Sequence, residues 1–251
     1  MKYVKENYKF LIFIIIVGII GGFFTVLYAI ESISEEMMQL AINQVGSRNM
    51  VIAVSMIQPI LYVVVCGIFG IILSNKVGLW KKITFEKKKI LISSIIALIG
   101  GLALIFADLL IFGHFNEIIK HSFDTKPTYE YIIASFTYGG VVEEVMMRLF
   151  LMSLISYILY KIFYKKEKEI PTKVFIISNV ISALLFALGH LPSTASTFGS
   201  ITPLLLIRCL IMNGSFGLAF GWLYRKYGIQ YSMLAHFGCH LFSKLIWILF
   251  L

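Results

Sequence analysis

Glu143, His190, His236 and His240 are the residues of this chain whose types share a chemistry, because carboxylate and imidazole either ligate zinc or move protons. His236 and His240 are four residues apart, so on a helix they share one face. That is the spacing by which two helical histidines present nitrogens to a single metal ion. Phe237 follows His236, so the H-E-x-x-H signature of a helical zinc peptidase is absent and any site must assemble from distant segments. Two or three histidines with a glutamate fit a catalytic zinc site with an open position. They also fit a metal-free arrangement in which glutamate and histidine activate water directly.

Glu143 belongs to the run Glu143-Glu144-Val145-Met146-Met147-Arg148, inside an otherwise apolar stretch. A charge within a bilayer costs roughly 2.5–3.5 kcal/mol on insertion scales, so this cluster needs a reason. Glu144 and Arg148 form an i, i+4 pair with the acid first, the favourable order, and are expected to neutralise each other as a structural support. Glu143 points about 100° away on a 3.6-residue turn and is left over as the working carboxylate. Asp108, Arg208 and Lys244, also within apolar stretches, are expected to be packing or snorkelling residues.

The elements that must position these residues follow from composition. Of 251 residues, 59% are hydrophobic and 14% charged, which excludes an ordinary soluble domain and a disordered chain. A hydrocarbon core of ~30 Å needs about 20 apolar residues per helical span. Seven stretches qualify, at 10–29, 50–74, 90–113, 131–160, 174–190, 203–224 and 230–250. The expected fold is therefore all-α, a polytopic transmembrane helical bundle. Residues 1–251 form one membrane domain, with three spans in 1–130 and the chemistry-bearing core in 131–245. A basic segment precedes the first apolar run, as in a signal peptide, but the run exceeds a usual h-region of about 7–15 residues. It is expected to be retained. Cys66, Cys209 and Cys239 fall within spans and carry no metal-type spacing or disulfide framework.

The net charge of +9 would suit a nucleic-acid binder, but the positions of the charges describe topology instead, and no nucleic-acid partner is expected. Lys2, Lys5 and Lys9 precede the first span. Lys76, Lys81, Lys82, Lys87, Lys88 and Lys89 lie between the second and third, Lys161, Lys165, Lys166, Lys168 and Lys173 between the fourth and fifth, and Arg225-Lys226 after the sixth. The opposite loops hold Arg48, Lys120 and Lys126. The positive-inside rule then places the N-terminus in the cytoplasm and the C-terminus outside. Straight helices in this topology keep His190, near the outer end of the fifth span, well apart from His236, about two turns from the inner end of the seventh. Strong tilt, a fifth span ending in mid-membrane, or a re-entrant piece in 191–212 would bring them together. Pro192 and Pro203, with Ser193 to Ser200 between them, leave eight spans as the alternative to seven.

Three ordered motifs carry a resemblance. Glu143-Glu144-x-x-x-Arg148, then Phe186-x-x-x-His190, then His236 followed four residues later by a polar side chain resemble the CPBP family. That family comprises the type II CAAX prenyl endopeptidases and bacterial relatives, including those once called Abi proteins. The approach to the last motif is similar too, in Gly217-x-x-x-Gly221-Trp222-Leu223-Tyr224-Arg225-x-x-Gly228 and then Ala235-His236. The resemblance covers roughly residues 131–245. It implies an intramembrane endopeptidase in which Glu143 activates the attacking water and His190 assists as base or metal ligand. His236 and the residue at 240 would bind the metal or stabilise the oxyanion. The family usually carries asparagine or aspartate where this chain has His240. Histidine can ligate or donate, and it opens a tentative metal site of Glu143, His190, His236 and His240, with zinc as the ion.

The function expected is hydrolysis of a peptide bond in a membrane-associated peptide or protein, a lipidated protein or a peptide precursor. The alternative is a non-catalytic membrane partner of the same fold, such as a bacteriocin-immunity protein. A proton-coupled carrier is disfavoured by the absence of an internal repeat. The setting expected is a bacterial cell membrane.

Overall fold

The computed structural model describes residues 2–251, and among them it contains helices and no strand. Seven helices are long and apolar enough to cross a membrane: α1 (Tyr8–Glu31), α2 (Arg48–Lys76), α3 (Lys87–His114), α4 (Tyr129–Phe163), α5 (Thr172–Phe198), α6 (Pro203–Tyr227) and α7 (Ile229–Phe250). The chain is a polytopic helical bundle. Seven spans agree with the apolar stretches of the sequence, and the 191–212 segment adds no eighth. There the helix Thr172–Gly189 is followed at His190 by a short helix, Leu191–Phe198, and α6 begins at Pro203 after a four-residue interruption, Gly199 to Thr202.

Local chemistry explains the breaks. Pro59 has no N–H to donate, and α2 is interrupted just before it, at Met56. Ser34 accepts a hydrogen bond from the Met37 N–H and starts a short helix, Glu35–Val45, which ends at Gly46 in the left-handed region. Gly228, with φ of 116°, makes the reversal from α6 into α7 within a single residue, a conformation that L side chains rarely adopt.

The core sits around α7 and α4. Two glycine pairs clamp α7. Gly100-Gly101 on α3 receive Cys239 and Phe242, and a Cβ at Gly101 would lie 3.0 Å from the Cys239 carbonyl and the Ser243 nitrogen. Gly139-Gly140 on α4 receive His240 and Phe237, and a Cβ at Gly140 would lie 2.9 Å from Phe237 Cα. Small residues thus let backbones approach where lipid supplies no hydrophobic drive between helices. The N-terminal spans close the other flank of α4 through apolar packing, with Ile14, Val63, Val142, Val145 and Leu149 in one buried cluster.

The lysine-rich connection between α2 and α3 folds under the start of α7. Val77 and Leu79 are buried, the Glu86 N–H donates to the Tyr231 hydroxyl at 2.8 Å, and Gln230 donates to the Thr84 carbonyl at 3.1 Å. The first residues of α7, Ile229 to Met233, are consequently all buried.

Candidate active site

Span α4 is not a uniform α-helix. Its turns widen to π-helical over Ser135–Val142 and again over Val145–Met152, leaving Glu143 and Glu144 between the two segments. Such widened turns are rare and are found mostly at functional positions, because they re-aim side chains that a regular helix would place elsewhere.

Glu144 and Arg148 pair as their spacing predicts. Arg148 Nη1 approaches Glu144 Oε1 to 3.0 Å, and the two side chains are 1% and 0% exposed. The directed hydrogen bond of Arg148 goes elsewhere, from Nη2 to the Gly217 carbonyl at 3.2 Å, while Nη1 lacks hydrogen-bond alignment. Its guanidinium also lies over the Phe186 ring, 4.5 Å from the centroid. Glu144 does more than neutralise a cation. His236 Nδ1 donates to Glu144 Oε1 at 2.9 Å, and the Ser232 hydroxyl lies between Glu144 Oε2 and the Phe220 carbonyl. A carboxylate on Nδ1–H fixes both the tautomer and the orientation of the ring, leaving Nε2 free.

Glu143 is the partly open member of the pair, 22% exposed, and its Oε2 lies 3.9 Å from that free His236 Nε2. This is too far for a direct hydrogen bond and close enough for both atoms to hold one water. His236 is further held by Phe220, stacked on it at 4.6 Å, and by Phe186, edge-on at 5.8 Å.

His190 reaches the same sector through Phe186, with the two rings 4.6 Å apart. Its Nδ1 donates to the Phe186 carbonyl at 2.8 Å, so Nε2 is again the free nitrogen. His240 stacks on His236 at 5.0 Å, with Gly139 against its Nε2 and its Nδ1 buried without a partner. The structure therefore brings the four sequence-predicted residues together from α4, α5 and α7, with Glu143 and His240 against His236 and with His190 joined to it through Phe186. His190, at the break within α5, and His236 on α7 both pack on Phe186, although straight helices were expected to keep them well apart.

Among the described residues no group of three or more His, Cys, Asp or Glu side chains is gathered closely enough to hold a metal ion, so the four residues do not form a ready zinc site. The engaged Nδ1 atoms of His190 and His236 leave Nε2 of each ring free.

A family model described as Type II CAAX prenyl endopeptidase Rce1-like matches residues 126–242. These residues belong to that family. The Rce1-like region contains α4 to α6 and most of α7, and with them Glu143, Glu144, Arg148, His190, His236 and His240. The family is one of proteases, and the seven apolar helices make the chain a multi-pass membrane protein. No curated protein and no solved structure matches the chain.

Spacing alone could have found some of what the sequence reading missed. Ser232, His236, His240 and Lys244 recur at every fourth position and form one polar stripe along α7. The aromatic holders Phe186 and Phe220 give no such signal, since a phenylalanine in a membrane helix is ordinarily packing. Asp108 and Arg208 were expected to be packing or snorkelling residues, with no pairing between them assigned. They form a bidentate ion pair between α3 and α6, at 2.7 and 2.5 Å. Lys244 is buried and packs its ammonium over the Tyr131 and Trp247 rings.

Proposed function

We propose that this protein hydrolyses a peptide bond in a membrane-associated peptide or protein, using a water activated between Glu143 and His236. The observation that carries this is the division of labour between adjacent glutamates. Glu144, sealed from solvent, holds His236 by Nδ1, while Glu143 keeps its carboxylate open and faces Nε2 of the same ring. Glu143 accepts a proton from the water as the hydroxide oxygen attacks the scissile carbonyl. The proton then passes to the leaving amine as the C–N bond breaks, so each proton is accounted for. The Glu144 carboxylate stabilises whatever positive charge His236 takes up during this transfer. His190 Nε2 and the ring of His240 border the sector where the oxyanion develops, and hydrogen-bond donors there contribute about 2.7–4 kcal/mol each.

The scheme routes no step through a metal, since among the described residues no three His, Cys, Asp or Glu side chains gather closely enough to hold one. The substrate class supported by the family match and the buried site is a peptide or protein that enters from the bilayer, whether lipidated or a peptide precursor. A bacterial cell membrane is the setting that suits the sequence.

The test is Glu143→Ala in full-length protein reconstituted into liposomes and incubated with a panel of acylated peptides. Cleavage should fall by about 10²–10⁴-fold, the range for losing a positioned acid–base group. Unchanged cleavage would remove Glu143 from the chemistry. An unchanged biological effect without cleavage would favour a non-catalytic membrane partner.

A further inference from the structure

The lysine-rich end of the bundle has a groove that the hydrolytic scheme does not use. It runs between α5 and α6, has a volume of about 230 Å³, and is walled by Phe175, Ile176 and Val180 on one side and by Leu218 and Trp222 on the other. Ile176, Val180, Leu218 and Trp222 are exposed on helices long and apolar enough to cross a membrane, so the groove opens toward lipid. Gly221 forms its floor. A side chain there would collide with Asn179 Oδ1, and the Asn179 amide nitrogen donates to the Leu218 carbonyl at 3.0 Å, which ties the two helices together.

Arg225 closes the groove at its lysine-rich end. Its Nη2 donates to Thr172 Oγ1 at 3.1 Å, and its guanidinium lies 5.2 Å from the centroid of the Phe175 ring. Arg148 and Arg208 each hold a carboxylate, whereas Arg225 is held in place by neutral groups. Lys173 follows Thr172 in sequence, and Lys226 Nζ lies 5.1 Å from the centroid of the Trp222 ring. Among the described residues no carboxylate comes within ion-pair distance of Arg225, Lys173 or Lys226. Pro171 gives α5 no capping side chain, so the first N–H groups of that helix lie free at the same mouth. An apolar groove open to lipid, with cations at its mouth, is complementary to a molecule with an anionic head and an apolar tail. From Arg225 to Leu218 is seven residues, about 10 Å along the axis at 1.5 Å per residue, or the first third of a ~30 Å hydrocarbon core. We propose that this groove binds one anionic phospholipid, its phosphate on Arg225 between Lys173 and Lys226 and one acyl chain along Trp222 and Leu218. A zwitterionic lipid carries the same phosphate, but its ammonium is repelled by the same three cations.

Contact with the lipid is read at Trp222. Trp80→Phe with Trp247→Phe leaves it the sole tryptophan of the full-length protein, which is reconstituted in phosphatidylcholine vesicles with rising fractions of a phospholipid brominated on its acyl chains. Brominated phosphatidylglycerol should quench Trp222 with at least about fivefold higher apparent affinity than brominated phosphatidylcholine. Arg225→Gln should cut that preference by at least about threefold. Lys165→Gln, which removes an exposed charge that does not line the groove, should leave it unchanged. If the tryptophan double variant does not fold, melting temperatures of the unmutated protein, Arg225→Gln and Lys165→Gln in nanodiscs of the two lipids make the same comparison. Equal quenching by both lipids, or none by either, overturns the proposal. So does a preference that survives Arg225→Gln, or one that Lys165→Gln lowers as much, since the latter is attraction to the whole basic surface. Displacement of the lipid by millimolar inorganic phosphate would make the site one for free phosphate and overturn it too. No cleavage is measured, so the result stands apart from the hydrolase reading.

Discussion

Two arginines inside the spans each hold a carboxylate, yet the two pairs are built for different ends. Arg148 and Glu144 lie one turn apart on α4, sealed from solvent, and the glutamate also holds His236 and meets Ser232. Arg208 and Asp108 come from α6 and α3, one hundred residues apart, with exposures of 22% and 9% and a bidentate geometry that uses both carboxylate oxygens. The second pair is self-contained and ties two helices together. The first has an oxygen shared with an imidazole whose other nitrogen faces a second carboxylate. A buried ion pair is therefore weak grounds for chemistry, since its net energy is often near zero. What distinguishes α4 is a third partner able to move a proton.

The largest expected effect that would sharpen this contrast is on stability. Glu144→Ala leaves Arg148 buried and uncompensated, which should cost about 3–5 kcal/mol and be read as lost expression or a large fall in detergent melting temperature. Replacing both partners, Glu144→Leu with Arg148→Met, should restore much of that stability and none of the activity, because His236 still lacks its holder. Recovery of cleavage in the double variant would show that Glu144 is only structural.

Asp108→Ala should cost less, roughly 1–3 kcal/mol, since Arg208 is partly exposed and can turn toward water. Turnover per folded molecule should stay within about twofold of the parent, well under one tenfold step of 1.36 kcal/mol. A loss of turnover as deep as that of Glu143→Ala would break the distinction between the two pairs.

Gly139→Ala probes the boundary between them. Its Cβ would meet His240 Nε2 at 2.8 Å, so the ring or the helix must shift, at about 1–3 kcal/mol for overpacking. Cleavage should fall more than stability if His240 borders the oxyanion; equal falls in both would make it a packing residue. The smallest expected effect is that of a zinc chelator. Activity and metal content measured together should show no dependence on the ion, and loss on chelation with recovery on adding zinc would replace the metal-free scheme.

The span count was legible because a helix must satisfy its own backbone in lipid, and that requirement writes long apolar runs into the sequence. Glu144 and Arg148 were legible for the same local reason, being neighbours on one helix face. The Asp108–Arg208 pair was not, because nothing in a sequence states which helices are adjacent. Nor was the approach of His190 to His236, two rings that pack on the same Phe186 ring from different helices.

The sequence by itself determined the helices and their number and nominated the four candidate residues, from apolar length, charge and motif. Only the tertiary structure decided what each charge does. It gave Glu144 to His236, opened Glu143 toward the same ring, paired Asp108 with Arg208 and left Lys244 without a carboxylate. Those roles depend on distances of a few ångströms between helices, set by where glycine pairs let α7 press against α3 and α4. In a low-dielectric interior, such distances decide whether a charge is neutralised, shared or free.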